Sequence, residues 1–203
     1  AIEDRRFREH TGFDLKGMAR AFAGNLISGE ITGGGSTITQ QLTKNALLSP
    51  EKTYKRKIEE LFLAVEIEKN YSKNEILTMY LNQVYFGSGA WGIDQASWRY
   101  FNKDISQVTI SEAAMLAGLL QSPSALDPFK HYDRAMNRRN VVLAAMKEEG
   151  MITEEEYIAA KNEKIILEEG GGSYIKRKYP YYVDAVLDEA INEYGLTQEE
   201  ILT

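Results

Sequence analysis

The stretch TGGGSTITQQLTKN, residues 32–45, decides how the first half of this 203-residue chain folds. Three glycines stand directly before a run of hydroxyl and amide side chains. Thr37 and Gln40 have the spacing of a capping box, which satisfies free N–H groups at a helix N-terminus. Ile38 and Leu42, four residues apart, supply an apolar side. The sequence therefore predicts a glycine loop and then a helix that begins near Thr37.

The polar side chains of this helix indicate a surface that holds a polar ligand. Hydroxyl and amide groups are unusual in a protein core, so we expect them to face solvent or substrate. They belong to Thr37, Thr39, Gln40 and Gln41. N–H groups at a helix N-terminus favour an anion, to which Ser36, Gln41 and Lys44 would add side-chain contacts. The alternative is a flexible loop that leads into an ordinary capped helix.

Helical patterns dominate on both sides of this stretch. Asp14 is placed to cap a helix that ends near Gly29. After the helix that begins near Thr37, a second and longer helix is predicted. Its apolar face carries Ile58, Leu61, Phe62 and Val65. Further helices are predicted to open at 72 and 153, to cover 93–101, 111–121 and 133–149, and to open again at 180 and 197. Strand candidates are short, at 84–86 and 165–167. The predicted fold class is mainly α.

The composition excludes several kinds of site. The chain has no cysteine, which rules out a disulfide framework and a cysteine nucleophile. His10 and His131 are too far apart in sequence to indicate a zinc site. No run of about 18 apolar residues predicts a membrane span, and no signal peptide is visible. Because the chain starts abruptly at AIEDRRF, we expect it to be a fragment whose upstream part has been removed.

Positive charge is concentrated in the first half of the chain. Residues 1–103 carry a net charge of +2, whereas residues 104–203 carry −8. The segment EKTYKRK, residues 51–57, holds most of the clustered cations. Basic residues at a helix start oppose the helix dipole, which suggests that they serve an anionic ligand. The alternative is an ordinary amphipathic helix, in which Lys57 and Glu60 share a face because they are three residues apart.

The segment EDRRF, residues 3–7, contains the first candidate for catalysis. Glu3 and Asp4 are adjacent carboxylates beside Arg5 and Arg6. One interpretation is a solvated charged segment that pairs with itself, since surface ion pairs are common and weak. The other makes one carboxylate a general base.

Taken together, these motifs resemble the family 51 glycosyltransferases, the peptidoglycan polymerases. Any one motif is weak, but their order along residues 3 to 128 is highly specific. The matching positions are Glu3, Asp4, Phe7, His10 and Gly12; GGSTITQQLTKN at 34–45; Arg56, Lys57 and Glu60; YLN at 80–82; Gly89, Gly92, Ile93, Ala96, Tyr100 and Phe101; EAAMLAGLLQSP at 112–123; and RRNVVLAAM at 138–146. Ser97 and Leu126 depart from the family pattern outside the expected chemistry.

The resemblance implies an architecture and a location. We expect a lysozyme-like helical lobe with a smaller membrane-proximal lobe, at the outer, periplasmic face of a bacterial cytoplasmic (inner) membrane. The segment YPYYVDAVLDEA, residues 179–190, resembles the connector to the transpeptidase domain of class A penicillin-binding proteins. Residues 1–168 would then be the glycosyltransferase domain and residues 169–203 a connector toward a missing transpeptidase domain.

The resemblance also implies a reaction. The family joins lipid II to a growing glycan strand with inversion and release of a polyprenyl pyrophosphate. A pyrophosphate leaves without a proton, so the reaction needs a base and positive charge more than a general acid. We expect Glu3 to be the base. Glu60 is expected to orient Lys57 or Arg56, or to help hold a cation at the pyrophosphate, rather than to act as a general acid. The substrate-binding candidates are Asp4, Ser36, Gln41, Lys44, Lys52, Arg56 and Lys57.

The expected partners are lipid II, the growing strand, a membrane surface and the transpeptidase domain, with no nucleic acid. No cofactor is expected to be required, although a divalent cation (Mg or Mn) could share the pyrophosphate charge. An apolar segment is expected to dip into the bilayer interface, with its core role as the alternative. Its bulky residues are Phe13, Met18, Phe22, Leu26 and Ile27.

Two other functions remain open from the residues. A lysozyme-like lytic enzyme would cut the same polymer with a glutamic acid as general acid. A non-catalytic cell-wall scaffold would keep the fold and bind glycan or proteins. The basic helix argues against the first, because glycosidic cleavage has no phosphate to neutralise. The presence of both Glu3 and Glu60 argues against the second.

Overall fold

The structure is a computed structural model that describes residues 1–17, 19, 35–47 and 53–168. Several predicted features lie outside these residues. They are most of the helix capped by Asp14, the first two glycines of the loop, Lys52, the connector 169–203, and Met18, Phe22, Leu26 and Ile27 of the expected lipid-facing segment.

Within the described residues the fold is mainly helical, as predicted. The α-helices are α1 (Ile38–Leu47), α2 (Tyr54–Asn70), α3 (Lys73–Gln83), α4 (Ile93–Phe101), α5 (Ile110–Leu119), α6 (Tyr132–Glu148) and α7 (Glu154–Asn162). A 3₁₀ turn covers Ile105–Gln107, and β1 (Tyr85–Gly87) pairs antiparallel with β2 (Ala90–Trp91). The strand expected at 165–167 does not form, because Ile165 packs into the main core instead.

The predicted capping boxes form. The Thr37 N–H donates to Gln40 Oε1 and the Gln40 N–H donates to Thr37 Oγ1, each over 3.2 Å. Reciprocal boxes also open α3 at Ser72 and α7 at Thr153. These local interactions explain why the helix starts were readable from sequence.

The main core is built from α3, the β-hairpin, α4 and α5. Its fully buried side chains include Ile76, Tyr80, Phe86, Tyr100, Met115, Leu116 and Leu119. A second cluster joins α5 to α6 and α7, and α1 packs against both α2 and α3. The polar helix α1 is therefore held between two helices.

The expectation that the hydroxyls and amides at the start of α1 face solvent or substrate is wrong for three of the four residues. Thr37, Thr39 and Gln40 are buried. The Thr37 hydroxyl donates to the Gly12 carbonyl (2.8 Å), and the Thr39 hydroxyl donates to Glu68 Oε1 (2.6 Å). Burial of a hydroxyl is tolerated when a partner is supplied, and here the partners come from other segments.

Two of the four residues predicted for the apolar face of α2 are solvent-exposed, and Leu61 and Val65 are half-buried. Phe62 is 74% exposed and Ile58 is 55% exposed, whereas the buried residues of the helix are Glu60 and Ala64. The helix instead buries the side that faces α1. In the described part of the chain, no helix is long and apolar enough to cross a bilayer.

Candidate active site

The acidic segment, which we define as residues 3–12 (EDRRFREHTG), is fixed against the start of α1. Asp4 Oδ2 accepts hydrogen bonds from the Ile38 N–H (3.1 Å) and from His10 Nε2 (2.8 Å). Because the Gly12 N–H donates to His10 Nδ1 (3.2 Å), the imidazole proton lies on Nε2. The Asp4 side chain is only 3% exposed. Its carboxylate is thus engaged within the protein, and it holds the neighbouring Glu3 in place.

Gly12 allows this segment to approach α2 closely. Its φ is +99°, and a Cβ on it would lie 2.9 Å from the backbone of Ala64. Any other residue would both strain the backbone and collide with the helix. The position of the acidic segment therefore depends on a glycine 9 residues after Glu3.

Glu3 lies where α1, α3 and α6 meet. Its side chain is 20% exposed. Gln41 Nε2 of α1 donates to Glu3 Oε2 (3.2 Å), and the Tyr80 hydroxyl of α3 donates to Gln41 Oε1 (2.9 Å). Arg138 Nη2 of α6 lies 4.0 Å from Glu3 Oε1. A partly exposed carboxylate with one neutral donor and one nearby cation is suited to accept a proton.

Arg138 is a site residue that the sequence reasoning missed. Burial lowers the pKa of its guanidinium, and Glu3 opposes that effect by raising it. Its Nε atom is buried without a hydrogen-bond partner within the described structure. The neighbouring Arg139 is a structural contact, since it donates to the Ser111 hydroxyl and to two backbone carbonyls. The signal available in the sequence was the pair of arginines that opens the RRNVVLAAM motif at 138–146.

Glu60 has a different environment. Its side chain is 2% exposed and accepts from Lys57 Nζ and from Arg56 Nη1, the latter at 3.5 Å. Lys57 Nζ also donates to the Ser36 hydroxyl (3.1 Å). The predicted contact of Glu60 with Lys57 or Arg56 is confirmed, and the carboxylate in fact contacts both. It holds two cations beside the start of α1.

Helix α1 connects the two carboxylates. Gln41 reaches Glu3, and Ser36 reaches the Lys57 that Glu60 holds. Ser36 lies two residues before α1 begins at Ile38, and Gln41 lies in the first turn of that helix. Lys44 is exposed one turn beyond Gln41, whereas Lys52 lies outside the described residues. The first turns of α1 therefore bring a candidate base and a pair of cations into one region.

No metal centre is evident in the part of the chain that the structure describes. There, no three His, Cys, Asp or Glu side chains gather in a way that could hold an ion. The most buried candidate ligand, Glu60, already contacts two protein cations.

The family model for transglycosylases matches residues 1–147. The chain belongs to the transglycosylase family. The match includes Glu3, Gln41, Glu60 and Arg138, so the site described above lies within the family domain. The resemblance drawn from the sequence motifs is confirmed, and so is the predicted enzyme class, a peptidoglycan glycosyltransferase domain.

Named relatives are penicillin-binding proteins. The chain is 40% identical over 207 residues to penicillin-binding protein 1F of Bacillus subtilis, covering 100% of this chain and 28% of that protein. It is 44% identical to penicillin-binding protein 1A of Aquifex aeolicus, covering 96% of this chain and 26% of that protein. For penicillin-binding protein 1A of Escherichia coli the identity is 45%, with 96% and 23% covered. The chain thus spans about a quarter of the length of these relatives.

A solved structure is also similar. The crystal structure of penicillin-binding protein 1A from Haemophilus influenzae matches with a TM-score of 0.47 and 28% identity, covering 78% of this chain and 20% of that one. Neither the lytic enzyme nor the scaffold gains support from the family match or from the named penicillin-binding proteins.

Proposed function

We propose that this domain polymerises lipid II into glycan strands, with Glu3 as the general base. The observation that carries the proposal is the environment of Glu3, a partly exposed carboxylate held by Gln41 beside the Arg138 cation. In the proposed step, Glu3 takes the proton of the acceptor hydroxyl while that oxygen bonds to the anomeric carbon of the donor. The bond from that carbon to the pyrophosphate breaks on the opposite face, and its electron pair leaves with the phosphate. Inversion follows from this geometry.

The cation cluster on α2 would stabilise the leaving pyrophosphate. Lys57 and Arg56 supply two positive charges. Glu60 contacts both side chains and so fixes their positions. Charge placed in advance where negative charge develops lowers the barrier, because no reorganisation is needed during the reaction. Glu60 contacts both cations within the protein, so we assign it no proton transfer to substrate. We assign it a positioning role.

The other predicted contacts are assigned by position. Ser36 and Gln41 would contact sugar or phosphate oxygens at the start of α1, and Lys44 would extend the positive region. Lys52, which lies outside the described residues, stays a candidate from the sequence alone. We reassign Asp4 from substrate contact to positioning, since its carboxylate is bonded to His10 and to the Ile38 N–H. A magnesium or manganese ion would enter with the pyrophosphate, and no step above requires it.

The wider setting is also proposed. The named relatives are about four times longer than this chain, and we infer that the full protein joins this domain to a transpeptidase domain. Since lipid II carries a polyprenyl tail, we place the domain at the outer, periplasmic face of the bacterial cytoplasmic membrane, in contact with the lipid surface. Exposed Ile58 and Phe62 on α2 are compatible with that setting.

Incubation of the full-length protein with labelled lipid II in vesicles tests the proposed function. We expect long glycan strands and release of polyprenyl pyrophosphate. Shortening of preformed glycan would instead establish the lytic enzyme. Binding of glycan without any turnover would establish the scaffold. Either of these two results would overturn the proposal.

A further inference from the structure

We propose that Tyr80 is a positioning residue for Glu3 and acts through the side-chain amide of Gln41. The inference rests on the proposed role of Glu3 as the base and extends it to a residue that never touches substrate. The Tyr80 hydroxyl donates to Gln41 Oε1 (2.9 Å), and Gln41 Nε2 donates to Glu3 Oε2 (3.2 Å). The three side chains form one directed chain of hydrogen bonds from α3 to the acidic segment.

The direction of this chain follows from the chemistry of its ends. An ionised carboxylate only accepts hydrogen bonds, so the NH₂ group of Gln41 must face Glu3. The amide oxygen then faces Tyr80, whose hydroxyl must donate. If the amide rotated by half a turn, its oxygen would face the carboxylate of Glu3, and the two would repel each other. The orientation of one amide thus decides whether Glu3 is supported as a base.

Burial makes Tyr80 the group that selects this orientation. Tyr80 is 2% exposed, and burial together with the charge of Glu3 raises the pKa of its hydroxyl far above the usual value. The hydroxyl therefore keeps its proton throughout the pH range in which the enzyme would act. Among the described residues, Gln41 Oε1 is the acceptor for that proton. A rotated amide would leave a buried O–H without a partner, which is costly.

The charge of Glu3 acts on several groups around it. They include the Tyr80 hydroxyl of α3, the Arg138 guanidinium of α6 and the amino group of Ala1. Asp4 adjoins Glu3 in sequence, but its carboxylate is bonded to His10. Gln41 is therefore the neutral donor that stabilises ionised Glu3, while Arg138 lies 4.0 Å away. Loss of the Tyr80 hydroxyl should act on Glu3 through Gln41 and not through direct charge.

The test is Tyr80→Phe in the full-length protein, with glycan synthesis measured against pH and against lipid II concentration. This change removes one oxygen and keeps the ring that packs in the core. We expect kcat to fall about tenfold, with KM changed less, because the base is less well held. The acidic limb of the pH–rate profile should shift to higher pH, because ionised Glu3 loses support from its donor.

A double-mutant cycle shows whether the effect passes through Gln41. In a Gln41→Leu background, Tyr80→Phe should change kcat by less than about twofold, because the connecting amide is already absent. Equal losses in both backgrounds would overturn the proposal. If Tyr80→Phe does not fold, Gln41→Leu alone should shift the acidic limb in the same direction, and an unshifted limb would overturn it as well.

Tyr100→Phe is the matched control. Tyr100 is also fully buried, and its hydroxyl donates to the Phe86 carbonyl (3.0 Å) in the core. We expect a comparable loss of thermal stability without a shift of the acidic limb. An equal shift in both variants would mean that Tyr80 acts only on stability, against the proposal. If Glu3→Gln abolishes synthesis while Tyr80→Phe matches the wild-type profile, the positioning role fails and the proposed function stands.

Discussion

Glu3 and Glu60 are the same residue type in two different environments. Glu3 is 20% exposed, accepts from a neutral amide and has its nearest cation at 4.0 Å. Glu60 is 2% exposed and contacts Lys57 and Arg56 directly. A partly exposed, loosely paired carboxylate is accessible to a substrate hydroxyl, whereas a buried carboxylate that contacts two cations is engaged within the protein. The comparison supports different proposed roles for the two residues, general base for Glu3 and positioning residue for Glu60.

The largest effect is expected from Glu3→Gln. An amide cannot take a proton, so glycan synthesis should fall by about 10² or more if Glu3 is the general base. Folding should be retained, because Gln41 can still donate to the remaining amide oxygen. Turnover of labelled lipid II is the measurement, and Glu9→Gln, on the same segment, is the control. A well-folded Glu3→Gln variant with near-normal synthesis would contradict the assignment of Glu3 as the base, and the two glutamates would then not differ in this role.

Glu60→Gln should have a smaller effect of another kind. Lys57 and Arg56 lose their common anion, so we expect the rate to fall about tenfold and donor binding to weaken together. The alkaline limb of the pH–rate profile should remain as in the wild type. If Glu60 were a general acid, the wild-type rate would fall as it deprotonates, and the substitution would abolish that fall. Rates measured from about pH 6 to about pH 10 would distinguish the two roles.

Arg138→Gln tests the cation beside Glu3. We expect a loss of several-fold in kcat/KM, because a charge at 4.0 Å in a half-buried site stabilises ionised Glu3 and nearby phosphate. Arg134→Gln is the matched control, since Arg134 is exposed one turn earlier on α6. Steady-state kinetics of both variants provide the measurement. Equal activity of the two variants would show that Arg138 does not contribute to the site.

The smallest effect on chemistry is expected from Asp4→Asn. Its carboxylate accepts from His10 Nε2 and from the Ile38 N–H, so the substitution weakens the attachment of the acidic segment to α1. We expect a loss of about 1–3 kcal/mol in the free energy of unfolding, with a modest fall in rate. Denaturant unfolding measures the first and lipid II turnover the second. A full loss of activity without any loss of stability would contradict the positioning role and support Asp4 as a substrate contact.

The sequence alone determined the features that depend on neighbours within one helical turn or on motif order. The capping boxes at Thr37, Ser72 and Thr153 were readable because both partners lie three residues apart. The contact of Glu60 with Lys57 was readable for the same reason. The family followed from several motifs in a fixed order, and the family match over residues 1–147 confirms it.

Only the tertiary structure decided which polar groups are buried and which distant residues meet. Thr37 and Thr39 look like a ligand surface in sequence, but Gly12 and Glu68 supply their partners from other segments, so burial costs little. Arg138 reaches Glu3 across 135 positions of the chain, a separation that no local pattern encodes. The same is true of Tyr80 and Gln41, which lie 39 residues apart. Packing of α1 against α3 creates the contact of Gln41 with Tyr80, and the position of α6 beside residue 3 creates the contact of Arg138 with Glu3. Local propensity cannot specify either contact.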